Sequence, residues 1–224
     1  NCHIITEYNS TVLDLLAGTV AVYANFLACP ANVGSDPLVG ITIHLSIRYI
    51  EPLFDPMPRT CENNQGARDL EFGISFFPNV GPEDKSAQDY WDEALQLVDL
   101  CDPLGYTHVR TVEHYFKPYG GYTPSPIVFL AAASQRTKKA RLVTGAVLPA
   151  FNNPLKVAGE AGMLDAISDG RLDLGLARAF MPHEFERFGV SLDESRRRYD
   201  EGVDQINRLL SEENLTMEGE FHSF

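Results

Sequence analysis

The sequence predicts a parallel α/β sheet, and three observations carry the prediction. Four apolar, strand-length runs recur after residue 70, each is followed by a segment of helical character, and turn or capping residues stand between them. Strands that alternate with helices are joined by crossovers, so neighbouring strands run the same way. The chain before residue 70 differs: it holds three arginines, no lysine and no helix punctuation. A boundary is therefore placed at about 69/70, between a segment 1–69 of no assigned role, expected to be unrelated to the fold that follows, and a βα region 70–224.

The first strand is read in LEFGISFF (70–77). In the following YWDEALQLVDLC (90–101), Trp91, Ala94, Leu95, Val98 and Cys101 recur at helical spacing, so one face packs on the sheet and Trp91 and Cys101 are core residues. The second strand is THVRTVEHYF (107–116), with a helix opening around Pro124 to Pro126. The third is ARLVTGAVLP (140–149). Its helix starts at Asn153, with Pro154 in the first turn, and ends at SDG (168–170), where Gly170 suits a left-handed cap. The fourth strand is RLDLGLARA (171–179). The last helix opens with Ser191 and Glu194 in capping-box spacing, and its Arg196, Arg197 and Arg198 are read as a solvated face in preference to a phosphate site.

Composition removes several function classes. At 224 residues and 44% hydrophobic the chain can bury a core, while its formal charge of -13 gives no electrostatic footprint for nucleic acid or an anionic membrane. Cys2, Cys29, Cys61 and Cys101 lie far apart without CxxC spacing, so neither a zinc site nor a disulfide scaffold is indicated and a reduced, cytoplasmic setting is expected. The stretch 11–29 is about long enough to span a bilayer, yet Asp14 and Asn25 interrupt it and no basic flank precedes it, so it is read as a buried segment. No P-loop, GxGxxG, GxSxG or HExxH is present.

In parallel α/β folds ligands gather where strands end, because the βα loops are free of packing duties. That rule places Glu113, His114 and Tyr115, then Thr144, Gly145 and Ala146, then Arg178 on one rim. The set suits an anionic, aromatic ligand: Arg178 offers a planar cation for phosphate, and Gly145 lets a flat ring approach the backbone. His114 is the one imidazole of the set, and is either a catalyst or a hydrogen-bonded structural residue; Arg178 is either a ligand contact or a surface ion pair. Glu113 is expected to orient a neighbour or cap backbone groups, and His108, His183 and His222 are read as structural. The loop YFKPYGGYTPSP (115–126) presents Tyr119 and Tyr122 either to an apolar substrate pocket or to a surface turn.

At these residues the sequence resembles the bacterial luciferase-like family of flavin-dependent monooxygenases. VEHYF stands against a family pattern of Glu-His-His-Phe, and VTGAVLP, NNPLKVAGEAGMLDAISDGRLDLGLARAF, PHEFERFG and LTMEGEFHSF follow in order over about residues 70 to 224. The resemblance implies the first four βα units of a TIM barrel, reduced FMN supplied by a separate flavin reductase, or coenzyme F420 in some branches, and oxygen activation at the flavin. By position, His114 matches the active-site histidine, Thr144, Gly145 and Ala146 the segment whose non-proline cis peptide supports the flavin ring, and Arg178 the phosphate-contacting arginine. Tyr115 replaces the second histidine, Asn153 stands where many relatives have histidine, and Ala177 occupies the place of a reactive cysteine in the light-emitting subunit. Light emission is not supported.

The expected function is a monooxygenase that takes reduced FMN, O2 and a small organic substrate, present here as a part of the barrel. The alternatives are an F420-dependent oxidoreductase and a non-catalytic flavin-binding protein or inert fragment. With four βα units where a barrel needs eight, the first and fourth strands are expected to be open edges, the chain to form a homo-oligomer, and FHSF (221–224) to be poorly ordered. No nucleic acid, membrane or metal partner is expected.

Overall fold

The computed structural model describes residues 3–6 and 71–224. The boundary at 69/70, the stretch 11–29 and Cys2, Cys29 and Cys61 lie outside the described residues. Five parallel strands form one sheet: β1 (His3–Thr6), β2 (Gly73–Phe76), β3 (His108–Thr111), β4 (Arg141–Thr144) and β5 (Leu172–Leu176), in the order β1-β5-β4-β3-β2. The α/β class and the four successive βα units are those read from the sequence. The fifth strand is not: His3–Thr6 pairs in register with Asp173 to Leu176. The β5 edge, expected to be open, therefore has a partner.

Alternation along the strands sorts their side chains. Ile74, Phe76, Val109, Leu142, Leu172, Leu174 and Leu176 enter one buried cluster beneath the helices. Burying a ring the size of Phe76, which is wholly inaccessible, stabilises the fold by about 1.5–3 kcal/mol. Ser75, Arg110, Val143 and Asp173 sit in register with one another and stay out of that cluster. This second face is polar and internally bonded: Arg110 donates to Ser75 Oγ at 3.0 Å, and Arg141 grips Asp173 with two donors at 2.6 and 2.5 Å.

The helices lie side by side, with α1 (Ala87–Asp99) on α3 (Pro126–Arg136), α3 on α4 (Pro154–Ile167) and α4 on α6 (Ser195–Leu209). Ser86 caps α1 by accepting the Asp89 N–H, and the apolar spacing buries Ala94 and Val98 as expected, with Tyr90. Cys101 is core too, but it belongs to a short helix, α2 (Cys101–Leu104), that follows a break at Leu100. Asn153 caps α4 through Leu155 N–H at 2.9 Å, and Gly170 takes φ 74° before β5, both as the sequence implies. Two features differ. PHEFERF forms a helix of its own, α5 (Pro182–Phe188), with Gly189 left-handed at its end. The Ser191/Glu194 capping box does not close, because a 3-10 turn (Leu192–Glu194) intervenes and Glu194 bonds Arg198 at 2.9 Å instead.

Residues 217–224 are also better fastened than expected. Met217 and Phe224 exchange backbone hydrogen bonds at 2.8 and 3.0 Å. The Glu201 carboxylate accepts N–H groups of Glu220, Phe221 and His222 at 2.7, 3.1 and 2.8 Å. Arg198 stacks over the Phe221 ring, and Arg197 pairs with Glu220. Among the described residues no helix is long and apolar enough to cross a membrane.

Candidate active site

Strand β3 delivers Glu113, His114 and Tyr115 just beyond its last paired residue, and all three side chains turn into the protein in different ways. Glu113 is 3% exposed, and its carboxylate accepts three donors: the Tyr115 hydroxyl at 2.6 Å, Asn152 Nδ2 at 2.8 Å and the Leu148 N–H at 3.0 Å. Burial pushes this carboxyl up to about 7, against the pull of its three donors and with a further push from the Glu184 carboxylate. Burial and the neighbouring Glu113 carboxylate raise the Tyr115 phenol above its usual range. Glu113 thus orients a neighbour and caps a backbone N–H, as expected of it.

His114 is buried, with Nδ1 3.1 Å from Glu184 Oε1. The same oxygen accepts the Tyr115 N–H at 2.9 Å, while Glu184 Oε2, also buried, has no partner among the described residues. With Nδ1–H donating to Glu184, the tautomer and tilt of the ring are fixed and Nε2 remains, hydrogen-bonded to no described residue. Aromatic rings wall it in: the centroids of Phe77, Tyr119 and Phe180 lie 5.8, 5.3 and 6.1 Å from that of His114. Gly120 makes this packing possible, since it holds φ 74° and a Cβ there would stand 2.6 Å from His114 Cβ. Of the two loop tyrosines, Tyr119 reaches the site, whereas Tyr122 turns to the core and donates to Lys85 O at 2.7 Å.

The next strand end forms a backbone platform. The Thr144 hydroxyl donates to Gly175 O and accepts the Gly175 N–H, both at 2.8 Å, so its side chain bolts β4 to β5 and is spent there. The Gly145–Ala146 peptide is cis. Gly145 N–H donates to Thr111 O at 2.7 Å and Val147 N–H to Gly175 O at 2.9 Å, while the N–H of buried Ala146 bonds no described residue. Arg110 supports the platform from the polar face of the sheet, donating to Gly145 O at 2.8 Å, and a Cβ on Gly145 would overlap its guanidinium.

Arg178 follows β5 in an irregular segment, is exposed, and makes no ion pair or hydrogen bond with a described residue. It makes no described contact with His114 or the platform, although Phe180 of its own loop packs on His114. Two cavities of about 120 and 190 Å³ flank the site and contain neither His114 nor Arg178. Among the described residues no cluster of His, Cys, Asp or Glu could hold a metal ion.

Glu184, Asn152 and Arg110 are the supporting residues that sequence reasoning missed. Arg110 carried a signal, a charge in the middle of an apolar strand run. Glu184 carried a weaker one, a carboxylate in the first turn of a short segment opened by Pro182. Asn152 is reached only through the fold, 39 residues from Glu113.

Residues 70–224 match the family described as luciferase-like monooxygenase. The structure of monooxygenase RslO1 from Streptomyces bottropensis shares 58% identity, with a TM-score of 0.67 over 68% of this chain and 46% of that one. The oxygenating constituent of 3,6-diketocamphane monooxygenase from Pseudomonas putida, solved with FMN, shares the fold at 24% identity and a TM-score of 0.63, over 69% of this chain and 43% of that one. The oxygenase component of the flavin-dependent trigonelline monooxygenase of Acinetobacter baylyi is 36% identical over 111 residues, 50% of this chain and 31% of the relative. The chain thus spans less than half the length of each of these proteins. The family match covers residues 70–224, more than half of the sequence: the chain belongs to the luciferase-like monooxygenase family.

Proposed function

We propose that this chain supplies the cofactor-binding part of a two-component monooxygenase that takes reduced FMN from a separate reductase, together with O2 and a small organic substrate. The observation that carries the reading is His114, fixed at Nδ1 by buried Glu184, with Nε2 bonded to no described residue and the rings of Phe77, Tyr119 and Phe180 packed beside it. The residues present fit a flavin. The Ala146 N–H, bonded to no described residue, offers a polar edge to a flat ring, and the guanidinium of Arg178, paired with no described residue, suits a phosphate. Trigonelline monooxygenase, an oxygenase component by name, supports the division into oxygenase and reductase.

When bound, the reduced flavin supplies the electrons that activate O2. The protein does the rest by position. Glu184 holds the imidazole so that Nε2 is the atom at which a proton is held or passed. Phe77, Tyr119 and Phe180 pack beside the imidazole, and the platform sets the depth of the flavin ring. The chain is proposed to be part of a longer barrel, with segment 1–69 contributing the strand that lies along β5.

Titration with reduced FMN and with riboflavin tests the reading. Arg178→Ala should weaken FMN by about 1.5–3 kcal/mol, the scale of a charge-assisted hydrogen bond, and leave riboflavin unmoved. In the complete protein His114→Ala should slow oxygen-dependent turnover by about 10² to 10⁴ with flavin affinity held within a few fold. Equal losses for both ligands in the arginine variant, or unchanged turnover in the histidine variant, would remove these roles. Binding without oxygen consumption would identify a flavin carrier.

A further inference from the structure

A second cation stands at the backbone platform itself. Arg110 lies in β3 on the face of the sheet that turns away from the helices, in register with Ser75 and Val143 and, through Val143, with Asp173. It is half-buried, and its fork reaches to both sides of its own strand: one arm donates to Ser75 Oγ of β2 at 3.0 Å, the other to Gly145 O at the end of β4 at 2.8 Å. Both acceptors are neutral oxygens, so these two bonds fix where the guanidinium points and take nothing from its charge. A Cβ on Gly145 would overlap the guanidinium, so the platform carries glycine where the cation packs against it. Asp173, the carboxylate on the same face, is neutralised by the two-donor grip of Arg141.

The carbonyl that Arg110 grips and the Ala146 N–H belong to one peptide unit, and that N–H bonds no described residue. A flat ring that met the N–H would lie within the field of the guanidinium. Arg178 is placed differently, exposed beyond β5 and without a described contact to the platform. The two cations therefore address different parts of one ligand.

We propose that Arg110 is a cofactor-binding cation for the isoalloxazine ring, and that it makes the site favour the reduced, anionic flavin over the oxidised one. The inference rests on the flavin reading and goes beyond it by naming the residue that tells the two redox forms apart. The oxidised ring is neutral, whereas two electrons taken up with one proton leave it with one negative charge. The phosphate carries the same charge in both forms, so a cation there contributes equally to each. A cation at the ring discriminates. At an effective dielectric of about 20, a pair of unit charges about 6–12 Å apart changes affinity by roughly ten- to a hundredfold.

The test measures, by calorimetry on the full chain, the affinity for oxidised FMN and, with oxygen removed, for chemically reduced FMN. Arg110→Gln, which keeps a donor and loses the charge, should cut the ratio of reduced to oxidised affinity about ten- to a hundredfold, with oxidised FMN held within a few fold. Arg110→Lys keeps the charge and loses the fork, so it should retain most of that ratio even where both affinities fall. Arg178→Ala should weaken both forms by the same factor. Thermal unfolding accompanies each titration, and Arg110→Met, an apolar side chain of similar reach, gives the same comparison if the glutamine variant does not fold. An unchanged ratio in Arg110→Gln, or equal losses of both forms, would make Arg110 a support of the backbone and overturn the proposal. A ratio lost as fully in Arg110→Lys as in Arg110→Gln would overturn it too, since geometry and not charge would then decide. Wild type that binds neither form would defeat the flavin reading, and this proposal with it.

Discussion

The contact between α6 and the platform loop sets up a substitution whose sign depends on packing. Gly202 is buried inside α6, and a Cβ there would stand 2.6 Å from Pro149 Cβ, whereas ordinary contact begins at 3.4 Å. Helix and loop would have to separate by about 0.8 Å, the difference between those distances, because a proline ring cannot rotate away. Replacing glycine by alanine inside a helix is worth about 1 kcal/mol on backbone grounds. Overpacking a closed contact costs about 1–3 kcal/mol, so Gly202→Ala should be neutral to destabilising by about 2 kcal/mol. The control lies in α4, where Gly159 and Gly162 are exposed and nothing stands within 4 Å of either added Cβ. Alanine there meets no opposing contact and should stabilise by about 0.5–1 kcal/mol at each position. Urea unfolding of the three variants gives the comparison directly, with the slope expected to stay constant. Because Pro149 belongs to the loop that carries the platform, Gly202→Ala should also weaken FMN binding while Gly159→Ala does not. If Gly202→Ala stabilised the chain as much as Gly159→Ala, the packing of α6 on that loop would be refuted.

Two further outcomes are expected. The Glu113 carboxyl is raised in the folded state from 4.5 to about 7, so the fold holds its proton more tightly than the unfolded chain does. Its contribution is therefore greatest below pH 4.5 and is lost as pH rises to about 7, by roughly 3 kcal/mol in all; the stability of wild type relative to Glu113→Gln should fall over that window, and a flat difference in urea unfolding would contradict it. Glu201→Ala should release the N–H groups of Glu220, Phe221 and His222, speeding hydrogen exchange at those three amides and costing about 1–3 kcal/mol. Unchanged protection there would mean that Arg198 and Phe221 hold the segment without it.

What the sequence made legible follows from the range of the forces involved. Periodicity and caps are local, so the four βα units, the Asn153 cap and the left-handed Gly170 could be read directly. The rim position of His114 followed from where strands end. Its partner did not, because Glu184 lies 70 residues on, in a helix of seven residues that is too short to show a period. The Ser191/Glu194 spacing misled for a related reason: the pattern was present, but Arg198, one turn further on, competes for the Glu194 side chain. His3–Thr6 shows no alternation of its own and gains a place only by pairing with β5. The three donors of Glu113 were invisible as a set, since they come from residues 2, 35 and 39 positions away.

Those same long-range contacts are where the fold departs from what stability alone would select. Among the described residues Glu184 Oε2, at 1% exposure, and the Ala146 N–H find no partner, and Glu113 ionises only against its burial. Each would be eased by an apolar side chain or a closing hydrogen bond, because a buried polar group without a partner costs about 1–3 kcal/mol. Beside them Thr144 satisfies both backbone groups of Gly175, and at the opposite ends of β4 and β5 Arg141 and Asp173 satisfy each other. Glu184 Oε2 and the Ala146 N–H lie around His114 and the platform, where a ligand would supply the missing partner, whereas the Tyr90 hydroxyl in α1 and Gln205 Oε1 in α6 are buried without a described partner away from the site. A bound flavin that met the Ala146 N–H should raise the unfolding midpoint in proportion to the logarithm of its concentration. The gain should be larger in the wild type than in Ala146→Pro, which lacks that N–H. Equal gains in the two would place the flavin elsewhere on the chain.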